Sequence, residues 1–193
     1  MMAGHDTTAY QLSWIIIELA RHPDVLKKLR VELDSISSSG DKMIFTPQNL
    51  SKMIYLNYVI KEGMRLWPVA AVGASRVLAA DIPWGDKVLK KGSIVAVSFF
   101  AMFRRGIRLA EEFIPERWLE SDPEACLLKD ISFPFSIGKR ACVGQTLALL
   151  ELKLVLATLF YSYDFQCITD ISEMYYITLK PQNASFKVTK RVR

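Results

Sequence analysis

The run Phe135-Ser136-Ile137-Gly138-Lys139-Arg140-Ala141-Cys142-Val143-Gly144 constrains this chain more than any other stretch, because a long apolar segment with helical periodicity follows it directly. A cysteine placed there sits at the mouth of a helix, where the dipole and the unbonded first-turn amides favour an anion. Arg140 adds positive charge nearby, and both effects lower a thiol's pKa toward a thiolate. Gly138 and Gly144 let the backbone turn tightly and approach a flat ligand closely. Phe135 can shield the sulfur. An exposed turn that presents a thiolate is suited to holding a metal. The competing reading is a buried, inert cysteine, the commoner fate of a single one.

Around this run the chain reads as helices followed by small sheets. Leu12, Ile15, Ile16 and Leu19 recur at helical spacing, and His22-Pro23 ends that helix, since a residue before proline leaves the α region. Pro23 suits the first turn of a second helix, with Val25, Leu26, Leu29 and Leu33 as its buried stripe. Ser37-Ser38-Ser39-Gly40 reads as a loop. Thr46-Pro47 opens a short third helix with Thr46 as N-cap. Tyr55 to Leu66 forms a fourth, with Leu56, Val59, Ile60 and Gly63 on one side, and Trp67-Pro68 stops it. Ser75 to Ala79 and Lys87 to Val97 read as strands, with turns at Pro83-Trp84-Gly85 and Lys91-Gly92. Residues 104–134 hold Gly106, Pro115, Pro123 and Pro134 with little periodicity, so a long irregular segment is expected there. Gln145 to Tyr161 is the strongest helix, with Leu147, Leu150, Leu154 and Leu159 near one face. From Tyr163 to Val188 come short strands broken by Pro181. The expected class is mainly α with small β-sheets (α+β), in a single domain over residues 1–193.

Composition removes several function classes. The formal charge is +5 over 193 residues, scattered in small clusters such as Arg104-Arg105 and Lys190-Arg191. Nucleic-acid binders concentrate charge with interleaved aromatics, so no nucleic-acid partner is expected; the basic residues form a solvated face or a docking surface for an acidic protein. The three cysteines, Cys126, Cys142 and Cys167, are odd in number and form no CxxC pair, which argues against a zinc site and a disulfide framework. Glu18, Glu151 and Lys153 interrupt the longest apolar stretches, so no membrane span is expected, and no basic region precedes an apolar run as a signal peptide would require.

Two further constellations stand out. Glu62-Gly63-Met64-Arg65 puts a glutamate and an arginine at i, i+3 on one helix face, where they can pair; alone, such a pair is usually a surface salt bridge. Ala3-Gly4-His5-Asp6-Thr7-Thr8 puts an acid beside a hydroxyl in the first helix, which alone would be ordinary polar helix sequence.

The cysteine run resembles the Phe-x-x-Gly-x-Arg-x-Cys-x-Gly loop of the cytochromes P-450, the haem-thiolate monooxygenases, at every fixed position. That resemblance implies that Cys142 is the proximal ligand of the iron of haem b (iron protoporphyrin IX) and that Arg140 pairs with a haem propionate, in a site that includes Phe135, Gly138 and Gly144. Thiolate donation in that family favours O–O cleavage. Glu62 and Arg65 match the family's Glu-x-x-Arg, and Pro115-Glu116-Arg117-Trp118 matches its Pro-Glu-Arg segment; the resemblance implies a buried Glu62–Arg65–Arg117 network that fixes the cysteine loop. Ala3 to Thr8 resembles the family's Ala/Gly-Gly-x-Asp/Glu-Thr-Thr, which implies that Asp6 and Thr7 deliver protons to bound oxygen, that Gly4 leaves room for dioxygen, and that His5 is a bystander. Arg76 resembles the arginine that contacts the second propionate. Pro68 to Ala74 and a turn around Ser172 to Tyr175 would line the substrate pocket.

The match runs over nearly the whole chain but covers only the family's C-terminal, haem-binding half. One departure is internal: Ala101-Met102-Phe103-Arg104 carries phenylalanine where the family has histidine, and reaches Glu111-Glu112-Phe113 over fewer residues than usual. The function expected is a monooxygenase that inserts one atom of O2 into a small apolar organic substrate, with electrons from an NADPH-dependent flavoprotein reductase docking near Lys139. The alternative is a truncated, non-catalytic haem-binding fragment of such an enzyme. A plain helical interaction module would need three ordered motifs to coincide by chance. The style of the motifs is that of the eukaryotic microsomal branch, so a full-length parent is expected at the endoplasmic-reticulum membrane.

Overall fold

A computed structural model describes residues 2–36 and 45–192. The expected loop Ser37-Ser38-Ser39-Gly40 lies outside the described residues. Helix α1 spans Met2–Arg21 and α2 Pro23–Ile36. The break falls at His22, whose carbonyl accepts from Leu26 N (3.0 Å), so the second helix starts on a proline that needs no hydrogen bond of its own. The short α3, Pro47–Ser51, is opened by a reciprocal cap: Thr46 N donates to Asn49 Oδ1 (2.6 Å) while Asn49 N donates to Thr46 Oγ1 (3.4 Å). Helix α4 covers Ile54–Leu66, α5 Phe99–Met102, α6 Ala125–Ile131 and α7 Gln145–Ser162.

Among the described residues the strands form four two-stranded antiparallel sheets. β1 (Arg76–Val77) pairs with β4 (Ile94–Val95), and β2 (Ile82–Trp84) with β3 (Lys87–Leu89). β5 (Tyr163–Cys167) pairs with β8 (Phe186–Lys190), and β6 (Ser172–Tyr175) with β7 (Leu179–Gln182). Helices carry the core and the sheets are small appendages, so the class is α+β with helix dominant, as the sequence implies.

The main core joins Ile15 and Leu19 of α1, Leu29 and Leu33 of α2, Leu56, Val59 and Ile60 of α4, and Leu152, Leu156 and Phe160 of α7. Gly63 is what lets α1 and α4 approach: a Cβ there would stand 2.4 Å from Ile15 Cγ1. A smaller cluster of Trp14, Ile17, Ala71 and Leu179 ties α1 to β7. Trp14 stacks on Trp67 at 4.0 Å and donates from Nε1 to Leu179 O (3.2 Å).

Several expectations need correction. The four leucines read as lying near one face of α7 do not share one environment: Leu147 is 62% exposed and Leu150 and Leu154 are also exposed, while Leu159 packs against the core that buries Leu152, Leu156 and Phe160. The helix is apolar on nearly every side, so periodicity could not choose a face. By length and composition alone α7 could also cross a membrane, although Glu151 and Lys153 sit at its middle. The long irregular segment holds a 3₁₀ turn at Pro115–Trp118 and the helix α6. Ser172 to Tyr175 is strand, and Pro181 lies inside β7 rather than breaking it, opposite Glu173; on a two-stranded sheet its missing N–H can face outward. Pro83 and Trp84 are strand as well, and the hairpin turns at Gly85, with φ +60. Arg104 is not on a solvated face. Its guanidinium stacks 3.7 Å over Phe100, donates to the Glu111 carboxylate (2.9 Å), and donates to Leu66 O (2.7 Å), closing the C-terminal end of α4.

Candidate functional site

The cysteine run folds as a loop held by its own backbone. Cys142 N donates to Phe135 O (2.8 Å), Ser136 N to Phe133 O (2.8 Å) and Ala141 N to Gly138 O (3.1 Å). Ser136 and Gly138 take the left-handed region (φ +60 and +73), and only the glycine does so without strain. Gly144 differs from expectation. Its φ of −86 suits any residue, and a Cβ there would meet Cys142 Sγ at 3.8 Å, ordinary contact. Its contribution is therefore openness beside the sulfur. It is also the N-cap of α7 and offers no side chain to the first-turn amides, which keep their partial positive charge facing the loop. Cys142 is exposed, and Arg140 beside it makes no ion pair or hydrogen bond among the described residues.

A cleft of about 380 Å3, open on one side, lies against this loop. Thr7, Thr8 and Gln11 of α1 form one wall and Phe135 and Pro134 another. Met64, Pro68, Val69 and Ala70 close the α4 side, and Ala148 and Leu152 of α7 form its base. The fold thus brings Thr7, Phe135 and the Pro68–Ala70 segment to one space from positions far apart in sequence. Asp6 does not line it. That carboxylate is exposed and bonded to His5 Nδ1 (2.9 Å), and Thr7 Oγ1 donates to Ala3 O (2.7 Å). Arg76 stands on β1 with its Nη1 donating to the carbonyls of Ala74 (3.2 Å) and Ser75 (3.0 Å), outside the cleft.

Gln11 was not singled out by the sequence. It is only 4% exposed, and its Nε2 is a buried donor without an acceptor among the described residues. The available signal was its spacing, one helical turn after Thr7 on the same face. Glu18 was likewise read only as an interruption. It is buried, accepts from Trp67 Nε1 (2.9 Å) and lies 3.3 Å from His22 Nδ1. Burial raises its carboxyl above the ordinary value, against the opposing hydrogen bond from Trp67 and the charges of His22 and Arg21.

Glu62, Arg65 and Arg117 come together with all three side chains fully buried. Glu62 accepts from Arg65 Nε and Nη2 (2.9 Å each), Arg117 Nε (3.3 Å), Trp118 Nε1 (2.9 Å) and Ile114 N (3.1 Å). The remaining donors of Arg65 reach Phe103 O, Ala110 O and Glu112 O, and those of Arg117 reach Arg108 O, Leu109 O and Glu124. None of these bonds touches residues 135–144. The network therefore clamps residues 103–118 directly, which corrects the expectation that it holds the cysteine loop itself. The link to the loop is apolar: Phe103, fully buried, stacks on Phe99 at 5.2 Å, and both meet Phe133 edge-on at 6.0 and 5.5 Å. Phenylalanine at position 103 completes that trio.

These residues suit a haem. Cys142 offers a single exposed sulfur on a loop, which suits a metal carried in its own macrocycle. Val143, next to Cys142 in the chain, and Ile137 of the same loop are exposed apolar residues, and Gln11 supplies a buried donor at the cleft.

The family model described as Cytochrome P450 matches residues 1–188. The chain is 37% identical over 168 residues to the human 25-hydroxyvitamin D-1 alpha hydroxylase, mitochondrial, covering 86% of this chain and 32% of that protein. It is 32% identical over 199 residues to Cytochrome P450 4c3 of Drosophila melanogaster, covering 99% of this chain and 36% of that one. A crystal structure of a cytochrome P450 (CYP102L1) superposes with a TM-score of 0.88 at 28% identity, covering 98% of this chain and 43% of that one. The chain spans about a third of the length of the curated relatives it matches.

Proposed function

Because the chain belongs to the cytochrome P450 family, we propose that it forms the haem-binding part of a monooxygenase, with Cys142 as the residue whose sulfur would hold the iron. The enzyme inserts one atom of O2 into a small apolar organic substrate and draws electrons from an NADPH-dependent flavoprotein reductase. The observation that carries this reading is an exposed cysteine at an uncapped helix mouth, beside a cleft shared by Thr7 and Phe135. When bound, haem supplies the oxygen activation, and a thiolate ligand favours O–O cleavage.

The chain's own residues have distinct tasks in this reading. Cys142 offers Sγ, held in place by its backbone bond to Phe135, which also lines the cleft. Arg140, without an ion pair or hydrogen bond among the described residues, offers charge to one propionate; Arg76 offers charge to the other once it leaves the carbonyls of Ala74 and Ser75. Thr7 Oγ1 passes a proton into the cleft after turning from Ala3 O, and Asp6 replenishes it from the solvent side. Pro68, Val69 and Ala70 provide an apolar wall that excludes water and suits an apolar substrate.

The second reading is a non-catalytic haem-binding fragment of such an enzyme. The human relative's name places it in mitochondria, so family membership sets no compartment; the microsomal style of the motifs supports an endoplasmic-reticulum parent. The test is to add haem to the purified chain, reduce it and bind carbon monoxide. The red-shifted Soret band of thiolate-ligated iron is expected, and should vanish in Cys142→Ala. The same band in that variant sinks the assignment. Turnover with added reductase selects the monooxygenase over the fragment.

A further inference from the structure

On another face, α4, the Pro115–Trp118 turn, α6 and α7 enclose a second open concavity of about 600 Å3. Lys61 of α4, Lys129 of α6 and Lys153 of α7 converge on it from three separate elements. Trp118 forms part of the wall, immobilised through its Nε1 bond to Glu62, and Lys61 Nζ lies 5.3 Å from its ring centroid. Tyr58 adds a hydroxyl, and Glu120 is the one acid in the lining. Three lysines against one glutamate leave the lining two charges positive. None of the three ammonium groups forms an ion pair among the described residues.

We propose that this cleft binds a small multivalent oxyanion of the phosphate class, free or as the terminal group of a phosphorylated small molecule. The charge matches, since a phosphate monoester carries about −1.5 to −2 near neutral pH and three strong acceptor oxygens. Lysines bind such a group as point charges, without needing the planar fork of arginine. The three ammonium groups stand on separate, packed elements, so the anion bridges groups the fold already holds near one another. The electrostatics agree: burial pulls the Lys61 ammonium below the usual lysine value, and the charges of Lys129 and Lys153 push it further down. An anion among them would relieve that repulsion. No part of the Cys142 cleft is involved.

The experiment is calorimetric titration of the full chain with inorganic phosphate, pyrophosphate and glycerol phosphate, against potassium chloride at matched ionic strength. Saturable binding of phosphate, tighter for pyrophosphate, is expected. Glycerol phosphate binding more tightly than phosphate identifies a phosphorylated molecule as the source; the reverse order identifies the free ion. Lys61→Met and Lys153→Met should each weaken binding about tenfold, the loss of one charge-assisted bond. Lys61→Arg should retain it, and Lys187→Met, outside the cleft, should leave it unchanged. Heat effects reproduced by potassium chloride overturn the proposal. So does equal weakening by Lys187→Met, which would make net charge the cause, or binding only of an acidic polypeptide such as polyglutamate.

Discussion

Replacing Glu62 by alanine tests the part of the structure on which residues 103–118 depend. In the parent, one carboxylate accepts five hydrogen bonds, from Arg65, Arg117, Trp118 and the amide of Ile114. Its removal leaves two fully buried guanidinium groups with, among the described residues, a single remaining acid in contact, Glu124, which bonds to Arg117 at 2.6 Å. Stranding a charge by deleting one partner of a buried pair costs roughly 3–5 kcal/mol. A domain's whole stability is about 5–15 kcal/mol, so this is about a fifth of it or more. At about 2–4 °C per kcal/mol for a chain of this size, the melting temperature should fall by about 6–20 °C. Far-UV circular dichroism during thermal and urea unfolding measures the loss. Glu62→Gln keeps the volume and part of the acceptor capacity and should fall between alanine and parent. Asp81→Ala serves as the control, because Asp81 meets Lys90 on the surface (2.9 Å) and should scarcely move the transition. If Glu62→Ala shifts the midpoint no more than Asp81→Ala, or Glu62→Gln equals the parent, the buried-charge argument fails.

Three further outcomes are expected. Gln11→Leu removes a buried donor that has no acceptor among the described residues, so the haem-free protein should gain about 1 kcal/mol or more in denaturant unfolding; a loss of that size would show that the amide is satisfied within the chain after all. Gly63→Ala should cost about 1–3 kcal/mol through overpacking against Ile15, and adding Ile15→Ala should recover part of that cost in a double-mutant cycle; simple additivity would contradict the close approach. Glu18 carries a raised carboxyl pKa through burial, so the folded state binds more protons than the unfolded one between the ordinary carboxylate value and the raised one. Its contribution to stability is therefore full below the ordinary value and is lost as pH rises through the raised one. Comparing Glu18→Gln with the parent across acid to neutral pH isolates the effect, and identical pH profiles would refute it.

The legible part of the fold was local. Pro23 and Thr46 act on the backbone within a turn of themselves, so the α1–α2 break and the start of α3 could be placed without tertiary knowledge. Glu62 and Arg65 share a face because the helix repeat puts them there. The hairpin near Gly85 was placed less well, because Pro83 and Trp84 look like turn residues until Val88 and Lys87 pair with them.

What the sequence alone determined about this protein is the chemistry of short segments: which residue could ligate a metal, which loop would present it, and where helices stop. These follow from bonds and sterics between near neighbours. The tertiary structure decided which face of α7 is buried, that Gln11 is enclosed with an unanswered donor, that Arg104 is internal, and that the Glu62 network grips residues 103–118. Each is a matter of which distant surface arrives to cover a group. Desolvation and packing act through space rather than along the chain, so no local pattern carries them.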